Sequence, residues 1–327
     1  MIRENNDIIP IITELNIEET PPCSIKKYWL RLITDGLGNP VCIPVIVARG
    51  KQLEPVVGIT AAVHGNELNG IPVIQRLFND MSKEDLDNLR GTVVGIPVVN
   101  VPSFIHRKRR FVDGVDLNHI MPGKADGNIS MVYAHRFVSK VIGNFNYLLD
   151  LHTASNGRVN SYYVRADLSE PMTAKLAELQ NAQIVVNNPP SDGTLRGAAD
   201  ELGIPAITLE VGNPNTFQKK LIRSGVDGIH NVLSYLNMID EPQTESMYAT
   251  IICEGSNWIY TDRGGLLTIH VDLMDILEEG QHIATIRNVF GDKIKEYFAP
   301  RKGVVIGKSI SPVNQSGGRI LHLGHLD

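Results

Sequence analysis

The sequence predicts an α/β fold, a mixed and mostly parallel sheet with helices on both faces, followed by a smaller C-terminal all-β domain. Up to about residue 240, apolar β-prone runs alternate with amphipathic helical patterns. Beyond Asp240-Glu241-Pro242, short strand-like segments are separated by turns such as Asp262-Arg263-Gly264-Gly265. A chain of 327 residues is long enough for two such units. We therefore predict domains over residues 1–242 and 243–327.

The predicted elements follow one another along the chain. Residues 25–49 indicate two strands around a turn rich in Gly, Asn and Pro, and residues 56–63 indicate a strand buried on both faces. A helix at 68–79 and a strand at 92–99 precede a long polar stretch at 100–128, a length typical of functional loops. The alternation then continues with a helix at 131–142, strands at 147–151 and 161–165, a helix at 171–179, a strand at 184–186, a helix at 195–202, a strand at 205–211 and a helix at 216–238.

Composition excludes several classes of protein. The net charge of -5 gives no reason to expect nucleic acid or an anionic membrane as a partner. Cys23, Cys42 and Cys253 show no CxxC spacing and fit a reducing compartment. The first ten residues lack the apolar core of a signal peptide, and no uncharged apolar run reaches the roughly 18 residues that a membrane span needs. These features predict a cytoplasmic protein, and they leave homo-oligomerisation open.

Side chains that can bind a metal or take part in catalysis directly follow the first predicted buried strand, in His64-Gly65-Asn66-Glu67. An imidazole and a carboxylate at this spacing can share a metal ion, although so short a pattern also arises by chance. The alternative is a histidine at a strand end and a solvated glutamate in a first helical turn, where negative charge is favourable. The two residues alone leave both interpretations open.

Two further predicted strands end in residues of the same kind, His152 and Glu210. Because binding crevices of open α/β sheets lie beyond the carboxyl ends of the strands, we expect these side chains to converge with the first pair. Two imidazoles and one carboxylate form a three-ligand zinc set with a fourth position open to water, and a second carboxylate can act as general base. Asp150 is either a group that orients a metal-bound imidazole or a solvated, capping aspartate.

The chain resembles the succinylglutamate desuccinylase/aspartoacylase family, one of the zinc carboxypeptidase-like folds, in four motifs: His64-Gly65-Asn66-Glu67, Gly114-Val115-Asp116-Leu117-Asn118, Asp150-Leu151-His152 and Thr208-Leu209-Glu210-Val211-Gly212. The similarity runs from about residue 40 to the end and includes the Gly-rich β tail. It implies a catalytic domain over residues 1–242 and one Zn²⁺ per chain on His64, Glu67 and His152. It also implies Glu210 as the acid/base and Asn118 as a substrate contact.

A basic stretch, His106-Arg107-Lys108-Arg109-Arg110, lies in the long polar segment. It has no interleaved aromatic residues, and the chain is acidic, so it does not indicate a nucleic-acid site. A solvated loop is the alternative. The resemblance implies that an arginine shortly before the Asp-Leu-Asn motif stabilises the oxyanion or contacts the substrate. Arg110 fits this role best by spacing, and Arg109 fits nearly as well.

Two more residues bear on substrate recognition. Arg196 is a candidate for binding a substrate carboxylate, with a surface salt bridge as the alternative. Family members often have an arginine directly after Asp-Leu-Asn that grips a substrate carboxylate, whereas this chain has His119. Imidazole is shorter and mostly neutral at pH 7. This departure leaves the preference for an acidic substrate open.

We expect a zinc-dependent hydrolase that cleaves the amide bond of a small N-acyl amino acid, with the metal and Glu210 activating water. A metallocarboxypeptidase acting on a small peptide would need the same ligands and a strong carboxylate anchor, which His119 weakens. A fold relative without activity is the third alternative, and the retention of all three ligand types and Glu210 disfavours it. The expected partner is the small-molecule substrate, with neither nucleic acid nor membrane.

Overall fold

The computed structural model describes residues 3–4, 7–246 and 248–326. Of residues 1–10, which are predicted to lack a signal peptide, residues 1, 2, 5 and 6 lie outside the described part. Near the N-terminus, β1 (Arg3–Glu4) pairs antiparallel with β2 (Asp7–Ile8). In the described ranges, no helix combines the length and the apolar character that crossing a membrane requires.

A ten-stranded sheet forms the centre of the molecule. The described strands of this region are β3 (Ile11–Ile12), β4 (Ser24–Thr34), β5 (Pro40–Arg49), β6 (Gln52–Ala61), β7 (Arg90–Ile96), β8 (Tyr147–His152), β9 (Arg158–Asn160), β10 (Tyr162–Ala166), β11 (Ile184–Asn187), β12 (Ala206–Val211) and β13 (Ile251–Cys253). All of them except β9 belong to the sheet, in the order β13-β11-β10-β12-β8-β6-β7-β5-β4-β3. β4 with β5, β5 with β7 and β10 with β12 pair antiparallel, and the other neighbours pair in parallel. The predicted mixed, mostly parallel sheet is confirmed.

Helices cover both faces of this sheet, as predicted. In chain order they are α1 (Gly70–Asp80), α2 (Lys83–Asn88), α3 (Val101–Ile105), α4 (Ile129–Lys140), α5 (Pro171–Glu178), α6 (Leu195–Glu201) and α7 (Lys219–Tyr235). One apolar cluster joins α4 and α6 to the sheet, and a second joins α1, α5 and α7 to the opposite face. Leu148 and Leu149, consecutive residues of β8, belong to opposite clusters because side chains alternate along a strand.

The C-terminal β unit, residues 256–325, contains β14 (Ser256–Tyr260), β15 (Gly265–Ile269), β16 (Ile276–Leu277), β17 (His282–Arg287), β18 (Lys293–Phe298), β19 (Gly303–Ser309), β20 (Val313–Asn314) and β21 (Arg319–His325). These strands form two antiparallel sheets, ordered β14-β21-β19-β16 and β18-β17-β15-β20. They enclose an apolar cluster of their own, which includes Ile286, Val305 and Leu323. The predicted all-β region is confirmed.

The two parts of the chain exchange strands. β9, which follows β8 in the chain, pairs antiparallel with β19 of the C-terminal β unit. Conversely, β13 pairs in parallel with β11 at the edge of the central sheet. This exchange brings Arg158 on β9, only six positions after His152, against the C-terminal β unit. The domain boundary at residue 242 stays a prediction.

Candidate active site

A pocket of about 510 Å³ lies at the carboxyl ends of β8 and β12, beside the segment that follows β6. This volume is in the range of small-molecule sites. The lining includes nine of the ten site residues predicted from the sequence: His64, Glu67, Arg109, Arg110, Asn118, His119, His152, Arg196 and Glu210. The tenth, Asp150, accepts a hydrogen bond from Nε2 of His152. The structure therefore brings the predicted residues together, and their individual roles stay predictions.

A tight turn after β6 places His64 beside Glu67. The backbone N–H of Glu67 donates to the carbonyl oxygen of His64 over 3.1 Å. Only glycine fits at position 65, because a Cβ atom there would lie 2.2 Å from the carbonyl carbon of Ser103 in α3. The turn thus holds Nδ1 of His64 at 2.9 Å from Oε1 of Glu67.

Three side chains of this pocket fit a metal ion. Nδ1 of His152 lies 2.9 Å from Oε2 of Glu67, and one ligand atom from each of His64, Glu67 and His152 lies within 4.8 Å of the others. Nδ1 of His64 is buried, and because Nε2 carries the proton given to Asp116, the 2.9 Å approach of Nδ1 to Oε1 of Glu67 sets two acceptors against each other without a hydrogen bond. Buried polar atoms are rarely left without a partner, and a shared cation would satisfy this nitrogen. Two neutral imidazoles and a carboxylate are a donor set that suits zinc.

Each of the two imidazoles donates a hydrogen bond from Nε2 to a buried aspartate. Nε2 of His64 donates to Oδ1 of Asp116 at 2.9 Å, and Nε2 of His152 donates to Oδ2 of Asp150 at 2.7 Å. Asp150 also accepts a 2.7 Å hydrogen bond from Thr60. Such carboxylates fix the tautomer of a metal-binding histidine, so both rings present Nδ1 toward Glu67. Sequence reasoning did not single out Asp116, although it belongs to one of the four motifs.

Glu67 is held in its charged form. Burial opposes the charge, but the imidazoles of His64 and His152 keep the pKa of Glu67 well below its usual range. The backbone N–H of Thr153 donates to Oε2 at 3.2 Å, and Nη1 of Arg109 donates to Oε1 at 2.8 Å. An ionised, fully hydrogen-bonded carboxylate is the form that can ligate a cation.

The pKa of Glu210 is shifted in the opposite direction, upward. It is paired with His152 in the parallel register of β12 and β8, so it faces the same pocket. Asn160 donates to Oε2 at 3.2 Å, and Nη2 of Arg165 lies 3.3 Å from Oε1. Burial raises the pKa of Glu210 despite the nearby Arg165. Two carboxylates with pKa values pushed apart in one pocket are typical of a division between an electrostatic role and an acid/base role.

The adjacent arginines of the basic loop occupy different environments. Arg109 donates from Nε to Asp116 at 2.9 Å and from Nη1 to Ser155 at 2.7 Å, besides its contact with Glu67. Arg110 is exposed and donates to the carbonyl oxygen of Gly114 at 3.0 Å. Both line the pocket, but it is Arg109 that contacts a candidate metal ligand, Glu67.

Arg196 lies buried at the start of α6, with both terminal nitrogens donating to Asn188 at 2.5 and 2.6 Å. Within the described ranges it forms no ion pair with a carboxylate. Burial and the nearby Arg165 lower its pKa to about 10, against the smaller opposing effect of surrounding aspartates. Asn118 accepts a 2.8 Å hydrogen bond from the backbone of Leu195, and His119 is exposed at the end of the 3-10 turn Leu117–His119.

Several pocket residues escaped sequence reasoning. Asn160 and Arg165 contact Glu210, while three others come from β9 and the C-terminal β unit: Arg158, Trp258 and Arg319. No local pattern marks the last three, because their position depends on the pairing of β9 with β19 and of β14 with β21.

The family model of the succinylglutamate desuccinylase/aspartoacylase catalytic domain matches residues 54–236. N-alpha-acetyl-L-2,4-diaminobutyric acid deacetylase of Halomonas elongata is 25% identical over 286 residues, covering 82% of this chain and 81% of that protein. Succinylglutamate desuccinylase of Pseudomonas paraeruginosa is 27% identical over 173 residues, covering 49% of this chain and 51% of that protein.

Solved structures share the whole fold. The product-bound ectoine utilization protein of Ruegeria pomeroyi matches with a TM-score of 0.83 and 21% identity, and a succinylglutamate desuccinylase of Silicibacter sp. matches with a TM-score of 0.79 and 21% identity. Each match covers 94% of this chain and 98% of the other. At this identity the structures establish the fold alone. Because the family model spans more than half of the sequence, the chain belongs to the succinylglutamate desuccinylase/aspartoacylase family.

Proposed function

We propose that this chain is a zinc-dependent hydrolase that cleaves the amide bond of a small N-acyl amino acid. The observation that carries the proposal is the cluster of His64, Glu67 and His152, whose ligand atoms lie within 4.8 Å of one another in a pocket that Glu210 also lines. The names of the relatives, a deacetylase and a desuccinylase, support amide hydrolysis as the reaction class.

In this proposal His64, Glu67 and His152 hold one zinc ion per chain. When bound, zinc would polarise the amide carbonyl and activate a water molecule. Asp116 and Asp150 keep the two imidazoles in the tautomer that turns Nδ1 toward the ion. Their buried hydrogen bonds fix the ring positions before substrate arrives.

Glu210 is the proposed acid/base. A carboxylate with a raised pKa can take a proton from the attacking water and pass it to the leaving amine nitrogen. Asn160 and Arg165 each contact one carboxylate oxygen and so limit its rotation. The amine leaves with that proton, and the acyl group leaves as a carboxylate.

Two cations have proposed roles in stabilising charge. Arg109 lies against Glu67 and Asp116, which favours it over the exposed Arg110 as the group that faces the developing oxyanion. Arg196 is the proposed anchor for the substrate's α-carboxylate, because a buried guanidinium that has no carboxylate partner among the described residues is stabilised by an anion. Asn118 and His119 line the same pocket and complete the proposed substrate contacts.

An activity screen with parallel metal analysis tests the proposal. Protein purified without chelator is expected to contain about one zinc per chain, whereas His64→Ala and His152→Ala lose the metal and the exposed His106→Ala retains it. The zinc-loaded protein is screened against N-acetyl and N-succinyl amino acids, including N-α-acetyl-L-2,4-diaminobutyrate and N-succinylglutamate, with dipeptides alongside. We expect release of amino acid from the N-acyl compounds. Cleavage of dipeptides alone would favour the metallocarboxypeptidase, and failure to take up stoichiometric zinc would refute the proposal.

A further inference from the structure

A glycine of the C-terminal β unit lies against the side chain that donates a hydrogen bond to Glu210. Gly307 on β19 is paired with Asn160 on β9 in the antiparallel register of the two strands. A Cβ atom added to Gly307 would lie 2.4 Å from Oδ1 of Asn160, so an alanine there would force the amide to move. Glycine inside a strand often marks a close approach of another part of the chain. The absence of a side chain at position 307 therefore leaves the room that the amide occupies.

The backbone around Asn160 is fixed from two sides. On the side of the C-terminal β unit, the backbone N–H of Ser161 donates to the carbonyl oxygen of Ile306 at 2.9 Å, and its hydroxyl donates to the same oxygen at 3.0 Å. On the side of the central sheet, the backbone N–H of Asn160 donates to Oδ1 of Asn213 at 3.2 Å. Asn213 follows β12, the strand that carries Glu210. Asn160 is thus buried between the two parts of the chain and bonded to both.

The amide of Asn160 contacts one oxygen of the Glu210 carboxylate. Its Nδ2 donates to Oε2 at 3.2 Å, while Nη2 of Arg165 lies 3.3 Å from Oε1. The distance to Arg165 is longer than the roughly 2.7–2.9 Å of a strong charge-assisted hydrogen bond. An ion pair of this length restricts the rotation of a carboxylate only weakly. The hydrogen bond from Asn160 at the opposite oxygen therefore adds a second restraint on the plane of Glu210.

We infer that Gly307 and Asn160 are positioning residues through which the C-terminal β unit sets the orientation of Glu210. The inference rests on the proposed acid/base role of Glu210 and deepens it, because it makes proton transfer depend on the pairing of β9 with β19. Small misplacements of a reacting group lower the rate of the chemical step. A residue that acts only through Glu210 should therefore affect kcat and leave KM nearly unchanged.

Two substitutions of Asn160 test the contact with Glu210. Asn160→Ala removes the amide, and Asn160→Asp keeps its shape but replaces the donor with an acceptor. We expect kcat to fall by about tenfold or more in both, the effect of losing a hydrogen bond to a charged group, with KM within about twofold of the wild type. The matched control is Asn79→Ala, at an exposed position of α1 outside the pocket. A raised KM with unchanged kcat would mean direct contact with the substrate and would overturn the inference.

A double-mutant cycle shows whether Asn160 acts through Glu210. In the Glu210→Gln background no acid/base group remains to be oriented, so adding Asn160→Ala should change the residual kcat by no more than about twofold. Zinc content is measured in every sample and should stay at the wild-type value. The same loss in both backgrounds would mean that Asn160 acts independently of Glu210, which would contradict the inference.

Gly307→Ala tests the contribution of the C-terminal β unit. The new Cβ should displace the amide, so kcat should fall as in Asn160→Ala, and the double variant should be no slower than either single variant. Thermal unfolding gives a readout without catalysis: Gly307→Ala should lower Tm less in the Asn160→Ala background, where the 2.4 Å contact is absent. Gly264→Ala, whose Cβ would lie 3.4 Å from the carbonyl oxygen of Asn314, is the matched control. Equal losses of Tm and kcat in both backgrounds would exclude the coupling.

Crystal structures of the variants separate this inference from the proposed function. The carboxylate of Glu210 should have one orientation in the wild type and in Gly264→Ala, and a rotated or divided one in Asn160→Ala and Gly307→Ala. If no N-acyl amino acid is hydrolysed but this pattern holds, the proposed reaction fails and the positioning role stands. If hydrolysis occurs while both variants keep the wild-type kcat and the wild-type orientation of Glu210, the positioning role fails alone.

Discussion

Nε2 of His64 donates a 2.9 Å hydrogen bond to Oδ1 of Asp116, and this contact sets which nitrogen the ring turns toward Glu67. The same aspartate accepts from Nε of Arg109 at 2.9 Å and from the backbone N–H of Asn118 at 3.1 Å. One buried carboxylate thus joins a candidate metal ligand, a candidate oxyanion cation and the turn that carries Asn118. Its removal should disturb metal binding without removing a ligand.

The first prediction concerns Asp116→Asn. The amide cannot accept in the same way, so the tautomer and basicity of His64 change, and zinc affinity should fall by about 10- to 100-fold. Competition with a chelating indicator measures this affinity. Asp113→Asn, at an exposed position in the same loop, is the control and should bind zinc like the wild type. An unchanged zinc affinity in Asp116→Asn would show that the hydrogen bond from His64 to Asp116 does not affect metal binding.

The second prediction concerns Glu210→Gln, which preserves shape and removes the acid/base group. Positioned general acids and bases contribute about 10²- to 10⁴-fold to rate, so kcat should fall by that factor while zinc content stays near that of the wild type. Steady-state kinetics on the best substrate, with metal analysis of the same sample, provide the measurement. Substantial residual activity would assign proton transfer to another residue.

The third prediction concerns the carboxylate anchor. Arg196→Ala removes a buried cation that donates to Asn188 and lines the pocket. Loss of a charged partner in a desolvated site costs several kcal/mol, so kcat/KM should fall by about two orders of magnitude or more, mostly through KM. The exposed Arg223→Ala is the control. A change of only a few-fold would move the anchor to Arg109 or Arg110.

A companion variant tests the departure from the family motif. His119→Arg restores the residue that relatives often have after Asp-Leu-Asn, on an exposed position of the pocket lining. We expect a gain in kcat/KM for substrates with an extra carboxylate relative to neutral ones of the same shape. Unchanged selectivity would mean that position 119 does not reach the substrate.

The fourth prediction is a pH dependence of stability. Burial lowers the pKa of His322 well below 6.5, and the nearby Arg165 and Arg319 add to the shift. Below about pH 6.5 the unfolded chain binds a proton at this imidazole that the folded protein rejects, so stability falls as pH decreases. His322→Phe, which can still stack on Trp258, should flatten this part of the profile by up to about 1.4 kcal/mol per pH unit.

Urea unfolding of both proteins between pH 5 and 8.5 measures the slope. Above pH 7.5 the imidazole is neutral in both states, so the difference in unfolding free energy between wild type and variant should be constant there. Parallel profiles throughout the range would contradict the assignment to His322.

Much of the architecture could be predicted from sequence, because buried parallel strands appear as continuous apolar runs and amphipathic helices have a strong periodic pattern. The placement of His64, His152 and Glu210 in one pocket follows from the rule that binding sites form beyond strand ends. Two elements had weaker signals. α2 begins with a capping box at Ser82, yet its six residues are too few for a helical pattern to emerge, and α3 is only five residues long.

Other features lie beyond what a local pattern can encode. Arg109 and Arg110 are adjacent in an irregular loop, where no periodicity indicates which side chain points inward. Their difference appears only in the folded contacts of Arg109 with Glu67 and Asp116. Arg158 and Arg319 come together through pairings between strands that are distant in sequence, such as Arg158 of β9 with Ser309 of β19, which in turn pairs with β21.

The exchange of β9 and β13 between the sheets has a consequence for biosynthesis. All four candidate catalytic and metal-binding carboxylates and imidazoles are translated by residue 210, whereas Trp258 and Arg319 follow much later. A nascent chain that has reached residue 242 still lacks β19, the partner of β9, so the wall that carries Arg158 has no sheet to join. The ribosome therefore synthesises the candidate metal ligands and Glu210 before the C-terminal residues that complete the lining of the pocket.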